Sequence, residues 1–416
     1  MWINTHTLPG LLQPPQAVLA GAFIYILFAW LLGGYTLLNW PSLKLRMVLQ
    51  RMACIALVSM AAIVLIGWAF DGGTQVGLLD RLGLIQLLIF QSSFALFIRL
   101  ALGALNRQRQ SASWHLMAAP SSQKDVVREW QRNPFVRPPG IFNPDSLGQP
   151  QLLGGRRIGL AVASNLALNA VQLDHLDQLR ARGMTVTTIE ELAQRQLERL
   201  PPTLLPEHWL AFSDLAWSNE FSFERKLKRM ADVFLSTVLL VPSLPLLLIF
   251  SVLILLEDRG PVFYVQERTG WLNRPFRLFK LRTMRQRASN CPTPWTLKGD
   301  PRITLVGQLL RRTRLDELPQ LINVLKGDMS LIGPRPEQPS LDEQLSEQIP
   351  HYRKRYWMLP GLSGWAQVCG PAYPSSLDEA EIKLSYDLYY LRNWTIGLDL
   401  LILAKTVKTV LKFRGR

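Results

Sequence analysis

The chain has 416 residues, 48% of them hydrophobic, and 46 Lys plus Arg against 31 Asp plus Glu give it a net charge of +15. That length allows two or three domains, while the charge by itself does not choose among nucleic acid, anionic lipid and a phosphate-rich substrate. Cys54, Cys291 and Cys369 are odd in number and have no zinc or redox spacing, which excludes a secreted disulfide framework and reads as reduced, structural thiols.

The start, Met1-Trp2-Ile3-Asn4, carries no basic n-region and no small-residue cleavage site, so the first apolar run is expected to be retained. Apolar stretches at Ala17 to Leu38, Ala53 to Phe70 and Leu82 to Leu105 each approach the roughly 20 residues that cross a bilayer core, interrupted only by Arg99. A buried helical core is the alternative, but runs with almost no polar face are hard to cover within so short a segment. Residues 1–105 are therefore read as transmembrane helices. Lys44, Arg46 and Arg51 place the first loop in the cytoplasm, and Arg99, Arg107, Arg109 and Lys124 place the exit of the third span there too. Everything after residue 105 then lies in the cytosol.

Residues 106–155 are polar and Pro-rich, as in Asn133-Pro134-Phe135-Val136-Arg137-Pro138-Pro139-Gly140, and read as linker. Residues 156–220 read as a small cytosolic α/β domain: strands at Arg157 to Ala163 and Met184 to Ile189, a helix at Leu173 to Arg182 and another from Glu190. It has no GxGxxG fingerprint, which points to a regulatory or dimerising module, with a second copy of the chain as a candidate partner. The stretch 231–256 is again apolar but contains Pro242 and Pro245 and has basic residues at both ends. A helix broken at the prolines and returning to the same leaflet keeps both ends cytoplasmic, as a straight span does not. Ser243 is the expected hydroxyl partner for a carbonyl freed by the prolines.

The chemistry-bearing residues lie beyond 257. Leu315, Leu318, Ile322 and Leu325 fall on one face of a predicted helix, with Asp316 and Glu317 at its start. An acidic pair there commonly complements the helix dipole. Arg311, Arg312 and Arg314 before it, with Lys326 and Gly333-Pro334-Arg335-Pro336 after it, also suit a site for phosphate groups. Lys280 and Arg282 add two cations. The run 395–413, apolar with Lys405, Lys408 and Lys412 interspersed, reads as a helix at the membrane interface with lysines reaching headgroups.

From about Lys226 to Lys412 the chain resembles the polyprenyl-phosphate hexose-1-phosphate transferases, also called bacterial sugar transferases or monotopic phosphoglycosyl transferases. The resemblance rests on Gly260-Pro261-Val262-Phe263, Gln266-Glu267-Arg268-Thr269-Gly270, Lys280-Leu281-Arg282-Thr283-Met284, Leu315-Asp316-Glu317-Leu318-Pro319-Gln320, Asn323-Val324-Leu325-Lys326-Gly327-Asp328-Met329-Ser330, Gly333-Pro334-Arg335-Pro336, Pro360-Gly361-Leu362-Ser363-Gly364-Trp365-Ala366-Gln367-Val368 and Tyr386-Asp387-Leu388-Tyr389-Tyr390.

The resemblance implies a membrane protein of the larger family form, in which N-terminal transmembrane helices and a small α/β domain precede a mainly α-helical catalytic domain, 221–416, with a re-entrant membrane hairpin. It implies transfer of hexose 1-phosphate from a nucleotide sugar, UDP-glucose or UDP-galactose first, to a polyprenyl phosphate at the bacterial inner membrane, with no nucleic acid as partner. Asp316 is then the nucleophile, through a phosphosugar-enzyme intermediate and ping-pong kinetics. Glu317 is the implied ligand of a magnesium ion. Arg335 is the implied phosphate clamp, and Lys280, Arg282, Arg314 and Asp387 are further substrate-binding candidates. Two departures from the family pattern stand out. Leu244-Pro245 occupies the place of the usual Ser-Pro, and Cys369-Gly370-Pro371-Ala372 replaces a segment that commonly carries a cation. Composition alone also accommodates a non-enzymatic membrane anchor or scaffold that binds anionic lipid or polymer.

Overall fold

The computed structural model describes residues 22–29, 55–62, 89–90, 92–94, 97, 113–133, 136–143, 158–210, 215, 217, 222–285, 300, 302–371, 374 and 376–411. The chain divides into two compact units, one made mainly of residues 1–114 and the other mainly of 160–416 together with segments between them. In the first unit, 22–29 and 55–62 are helical, with Phe23 and Ile26 exposed. Most of the three expected spans, Arg99 included, lies outside the described residues.

In the second unit a four-stranded sheet runs in the order β2-β1-β3-β4, with β1 Ser113–Met117, β2 Gly140–Ile141, β3 Ile158–Val162 and β4 Thr185–Thr188. Helices α1 Gln123–Gln131, α2 Ala170–Ala181 and α3 Ile189–Leu197 accompany it. Asn169 and Gln172 cap α2 reciprocally, and Thr188 caps α3. The stretch read as linker thus holds β1, α1 and β2. Its polar composition hid them because β1 gains its apolar environment from β3, more than forty residues later, and buries Leu116 and Met117 completely enough to form part of a core.

Helix α4, Phe223–Asp258, has 36 residues and contains both Pro242 and Pro245. It is the described helix long and apolar enough to cross a membrane, and only 17% of its most apolar window is buried. Both ends grip the same unit. Arg229 donates to the carbonyls of Val324 and Leu325 at 2.6 and 2.9 Å. Asp232 accepts from the Leu331 amide at 3.0 Å, and Glu257 accepts from the amides of Leu305 and Val306 at 2.7 and 3.2 Å. The helix is continuous, where a break at the prolines was expected. Ser243 donates to the Leu240 carbonyl at 2.8 Å, whereas the carbonyls freed by the prolines, four residues before each, belong to Val238 and Val241.

An antiparallel hairpin follows, β5 Phe263–Thr269 and β6 Pro275–Leu281, pairing Phe263 with Leu281 and Tyr264 with Lys280. Next come α5 Leu305–Thr313, α6 Gln320–Lys326, β7 Ser330–Ile332, α7 Pro339–Gln348, β8 Gly361–Ser363, α8 Trp365–Cys369, α9 Leu377–Asn393 and α10 Ile396–Leu411. Strands β7 and β8 run parallel, Ser330 beside Gly361. A Cβ on Gly361 would stand 2.0 Å from the Gly333 amide, so glycine is required where β8 begins, close against the residue that follows β7. The main core gathers Leu321, Val324, Ile332, Trp365, Tyr390, Trp394 and Ile402 around this pair.

The expected C-terminal helix forms as α10, but Lys405 does not point outward. Its Nζ lies 4.1 Å from the Trp365 ring centroid and 3.2 Å from Cys369 Sγ.

Candidate functional site

The acidic pair owes its placement to one backbone torsion. Helix α5 ends at Arg314, whose φ of +59° turns the chain left-handed, and Leu315–Glu317 then forms a single 3-10 turn before Pro319 and α6. A non-glycine residue held there costs of order 1 kcal/mol or more, and such conformations concentrate where a structure must aim side chains. The expected continuous helix from 315 to 325 is therefore interrupted, and Ile322, assigned to its apolar face, is 36% exposed.

Three cations converge on Glu317. Arg335 Nη2 donates to its Oε1 at 2.5 Å, Lys280 Nζ lies 3.8 Å from the same oxygen, and Arg314 Nη1 lies 3.9 Å from Oε2. Burial raises the Glu317 carboxyl, but Arg335 and Lys280 more than offset this and hold it at about 2. Asp316, next to it, accepts no hydrogen bond among the described residues. Burial, reinforced by the charge of Glu317, pushes its carboxyl up to about 6. Lys280 is lowered to about 8, by burial first and then by Arg335 and Arg268, with Glu317 opposing. Two neighbouring carboxylates thus have their proton affinities pulled apart, the arrangement that assigns different tasks to chemically similar groups.

Beside this dyad is a pocket lined by Arg268, Leu278, Lys280, Gln320, Arg335 and Pro336. Of the residues singled out in the sequence, the structure brings together Asp316, Glu317, Lys280, Arg314 and Arg335. It does not bring Arg282 or Asp387 to them. Arg282 is 5% exposed and pairs with Asp258 at 3.3 Å, packed so tightly under Gly260 that a Cβ there would meet its Nη1 at 1.8 Å. Asp387 is 1% exposed and pairs with Arg355 at 2.8 Å. Lys326 lies over the Phe279 ring at 4.6 Å rather than toward the dyad. Sequence reasoning missed Arg268 and Gln320 as site residues. Both belong to quoted motifs, Arg268 to the one from Gln266 to Gly270 and Gln320 to the one from Leu315 to Gln320, so the signal was available for each.

Among the described residues no group of three or more His, Cys, Asp or Glu gathers as a metal cage. Two adjacent carboxylates, one of them without a donor of its own, nevertheless suit a magnesium ion, which is typically held by one or two carboxylates together with substrate phosphates and water.

The profile described as "Bacterial sugar transferase" matches residues 223–413. A Rhizobium leguminosarum bv. phaseoli exopolysaccharide production protein, PSS, is 39% identical over 195 residues, which is 46% of this chain and 97% of that protein. This chain belongs to the bacterial sugar transferase family. Another member, the UDP-glucose:undecaprenyl-phosphate glucose-1-phosphate transferase of Caulobacter vibrioides, is 40% identical over 185 residues, 44% of this chain and 69% of its own. The UDP-N-acetylgalactosamine-undecaprenyl-phosphate N-acetylgalactosaminephosphotransferase of Aeromonas hydrophila is 39% identical over 245 residues, 59% of this chain. That match spans 53% of the Aeromonas protein, so this chain covers about half of its length. The family region begins at α4 and contains the dyad and every residue that lines the pocket.

Proposed function

We propose that the chain transfers a sugar 1-phosphate from a UDP-sugar to undecaprenyl phosphate at the cytoplasmic face of the bacterial inner membrane. Glucose and galactose are the first candidate sugars, and the Aeromonas relative adds N-acetylgalactosamine. The observation that carries the reading is the split dyad: a cation-clamped Glu317 beside an Asp316 carboxylate that accepts no hydrogen bond among the described residues.

Asp316 attacks the sugar-proximal phosphorus, an aspartyl oxygen–phosphorus bond forms as the bond to the leaving uridine monophosphate breaks, and the lipid phosphate then attacks the same phosphorus and restores the carboxylate. Arg335 and Lys280 face the charge spread over the transferring phosphoryl oxygens. Glu317 and Asp316 are the residues that would hold magnesium, which when bound supplies neutralisation of diphosphate charge. Helix α4 enters one leaflet and returns by bending at Pro242 and Pro245 without interrupting its run. Its attachment at both ends to the catalytic unit supports this.

Membranes containing the chain, incubated with a panel of UDP-sugars, should yield one sugar-phosphoryl-lipid identifiable by mass. Asp316→Asn should abolish that product and the covalent adduct formed with donor alone. Full turnover by Asp316→Asn would overturn the nucleophile assignment.

A further inference from the structure

Helix α9 carries two sets of polar contacts on opposite sides. Asp378, Glu381 and Ser385 recur at spacings of three and four and share one face, while Lys383 and Asp387 lie on a face roughly half a turn away. The second face backs the site. Lys383 pairs with Glu337, whose carboxylate lies 3.7 Å from Arg268, and Asp387 pairs with Arg355, which donates to the Arg335 carbonyl at 2.9 Å.

The first face is occupied by α1 and by the chain that leaves α3, all within the same compact unit. Arg128 Nη2 donates to Asp378 at 2.5 Å, and Arg132 lies 3.1 Å from Asp378 and 3.8 Å from Glu381. Arg132 also pairs with Glu129, and Glu129, 3% exposed, pairs with Arg199 at 2.5 Å. Charges thus alternate from the end of α3 through α1 to α9. Glu198, at a φ of +52°, turns the chain so that its carbonyl accepts from Trp365 Nε1 at 3.0 Å. The Leu200 amide then donates to the Ser385 carbonyl, in the middle of α9, at 2.8 Å. A left-handed non-glycine residue persists where its surroundings hold it. Leu200 and Leu205 complete a core with Ala380, Leu384, Leu388 and Tyr356.

We propose that Arg132 is a positioning residue for the transfer: it holds α9 where Asp387 and Lys383 keep Arg335 and Arg268 in place, which makes the small α/β domain part of the site's support. An exposed ion pair contributes little by itself. Arg132 differs because its side chain is 15% exposed and meets three carboxylates, two of them on α9. The proposal rests on the transferase reading for what Arg335 does, and on the contacts alone for what holds it.

The test uses the full chain in nanodiscs containing undecaprenyl phosphate, with the UDP-sugar that yields product. Arg132→Met keeps most of the side chain's bulk and removes its charge. It should lower kcat about fivefold at unchanged KM for the UDP-sugar, because Arg335 acts on the phosphoryl group in flight. Arg132→Lys retains the charge and should recover most of the loss. Asp378→Lys sets a third cation against Arg128 and Arg132 and should reproduce it. Hydrogen exchange of the backbone amides from Leu331 to Glu337 should speed up in Arg132→Met while the melting temperature stays close to the parent's. A folded Arg132→Met with the parent's kcat and exchange overturns the proposal. So does a loss of kcat that follows the melting temperature and that Arg132→Lys does not restore. Should Arg132→Met fail to fold, Asp378→Lys, at a side chain 56% exposed, decides by the same readings. Failure of the transferase reading shows separately, as a parent that yields no product or an Asp316→Asn that keeps full transfer. The exchange measurement then still decides whether Arg132 holds the Arg335 segment.

Discussion

Arg355 Nη2 donates to the backbone carbonyl of Arg335 at 2.9 Å, and the same guanidinium is ion-paired with Asp387 Oδ2 at 2.8 Å. Both Arg355 and Asp387 are 1% exposed. Asp387 therefore reaches the dyad through two links, Arg355 and then Arg335, and the expected role is that of a positioning residue. Asp387→Asn leaves a buried guanidinium without its counter-charge, which costs about 3–5 kcal/mol, and thermal unfolding should show it. The double variant Arg355→Met, Asp387→Leu removes both charges and should recover much of that stability while kcat stays at least tenfold down. Recovery of full kcat in the double variant would show that Arg355 does not hold Arg335 in place.

The dyad also predicts a pH profile. With Asp316 near 6 and Lys280 near 8, release of uridine monophosphate in a single turnover should rise through about pH 6 as the nucleophile ionises. It should fall through about pH 8 as Lys280 loses its charge. Glu317→Gln should move the acid limb lower without returning it to the ordinary value of 3.8, since burial, the larger cause, remains. For stability the two acids act in opposite directions. Glu317, depressed from 4.5 to about 2, contributes stability present above its ordinary value and lost as pH falls toward 2. Asp316, raised from 3.8 to about 6, contributes stability present below 3.8 and lost as pH rises through 6. A rate that stays flat between pH 5 and pH 9 would contradict these assignments.

Asn323 is fully buried and ties α6 to β6. Its Oδ1 accepts from the Phe279 amide at 3.1 Å, and its Nδ2 donates to the Arg277 carbonyl at 2.7 Å and to Asp328 at 3.2 Å. Asn323→Leu leaves two backbone groups of β6 unpaired, at about 1–3 kcal/mol each. Denaturant unfolding should register the loss, and transfer should fall with it because Lys280 follows Phe279 on the freed edge. Unaltered stability would mean that water replaces the side chain.

The re-entrant reading of α4 places its two ends in one compartment. Cysteines introduced at Glu224 and Arg259, both exposed, should react with an impermeant maleimide from the cytoplasmic side only. Labelling of the two positions from opposite sides would establish a straight span in its place.

Much of the site was legible in the sequence because its parts are short and local. Asp316, Glu317, Lys280, Arg314 and Arg335 could be named from motif and charge, and β3, β4 and α3 from periods of a few residues. What could not be named depends on partners distant along the chain. Arg282 and Arg335 are both arginines beside prospective phosphate ligands, yet Asp258 and Gly260 enclose the first while the Arg355 and Glu317 contacts aim the second. Gln320 stood in a quoted motif without being singled out, since a neutral amide at the start of a short helix lines a pocket only when β6 and the segment at Arg335 and Pro336 pack beside it.

The sequence alone determined which chemistry the chain could carry, because charge, motif and hydrophobic run are properties of neighbours along the backbone. Tertiary structure decided which of those charges meet: burial and opposing charge set the proton affinity of each carboxylate, and both arise only when segments far apart in the chain are packed together.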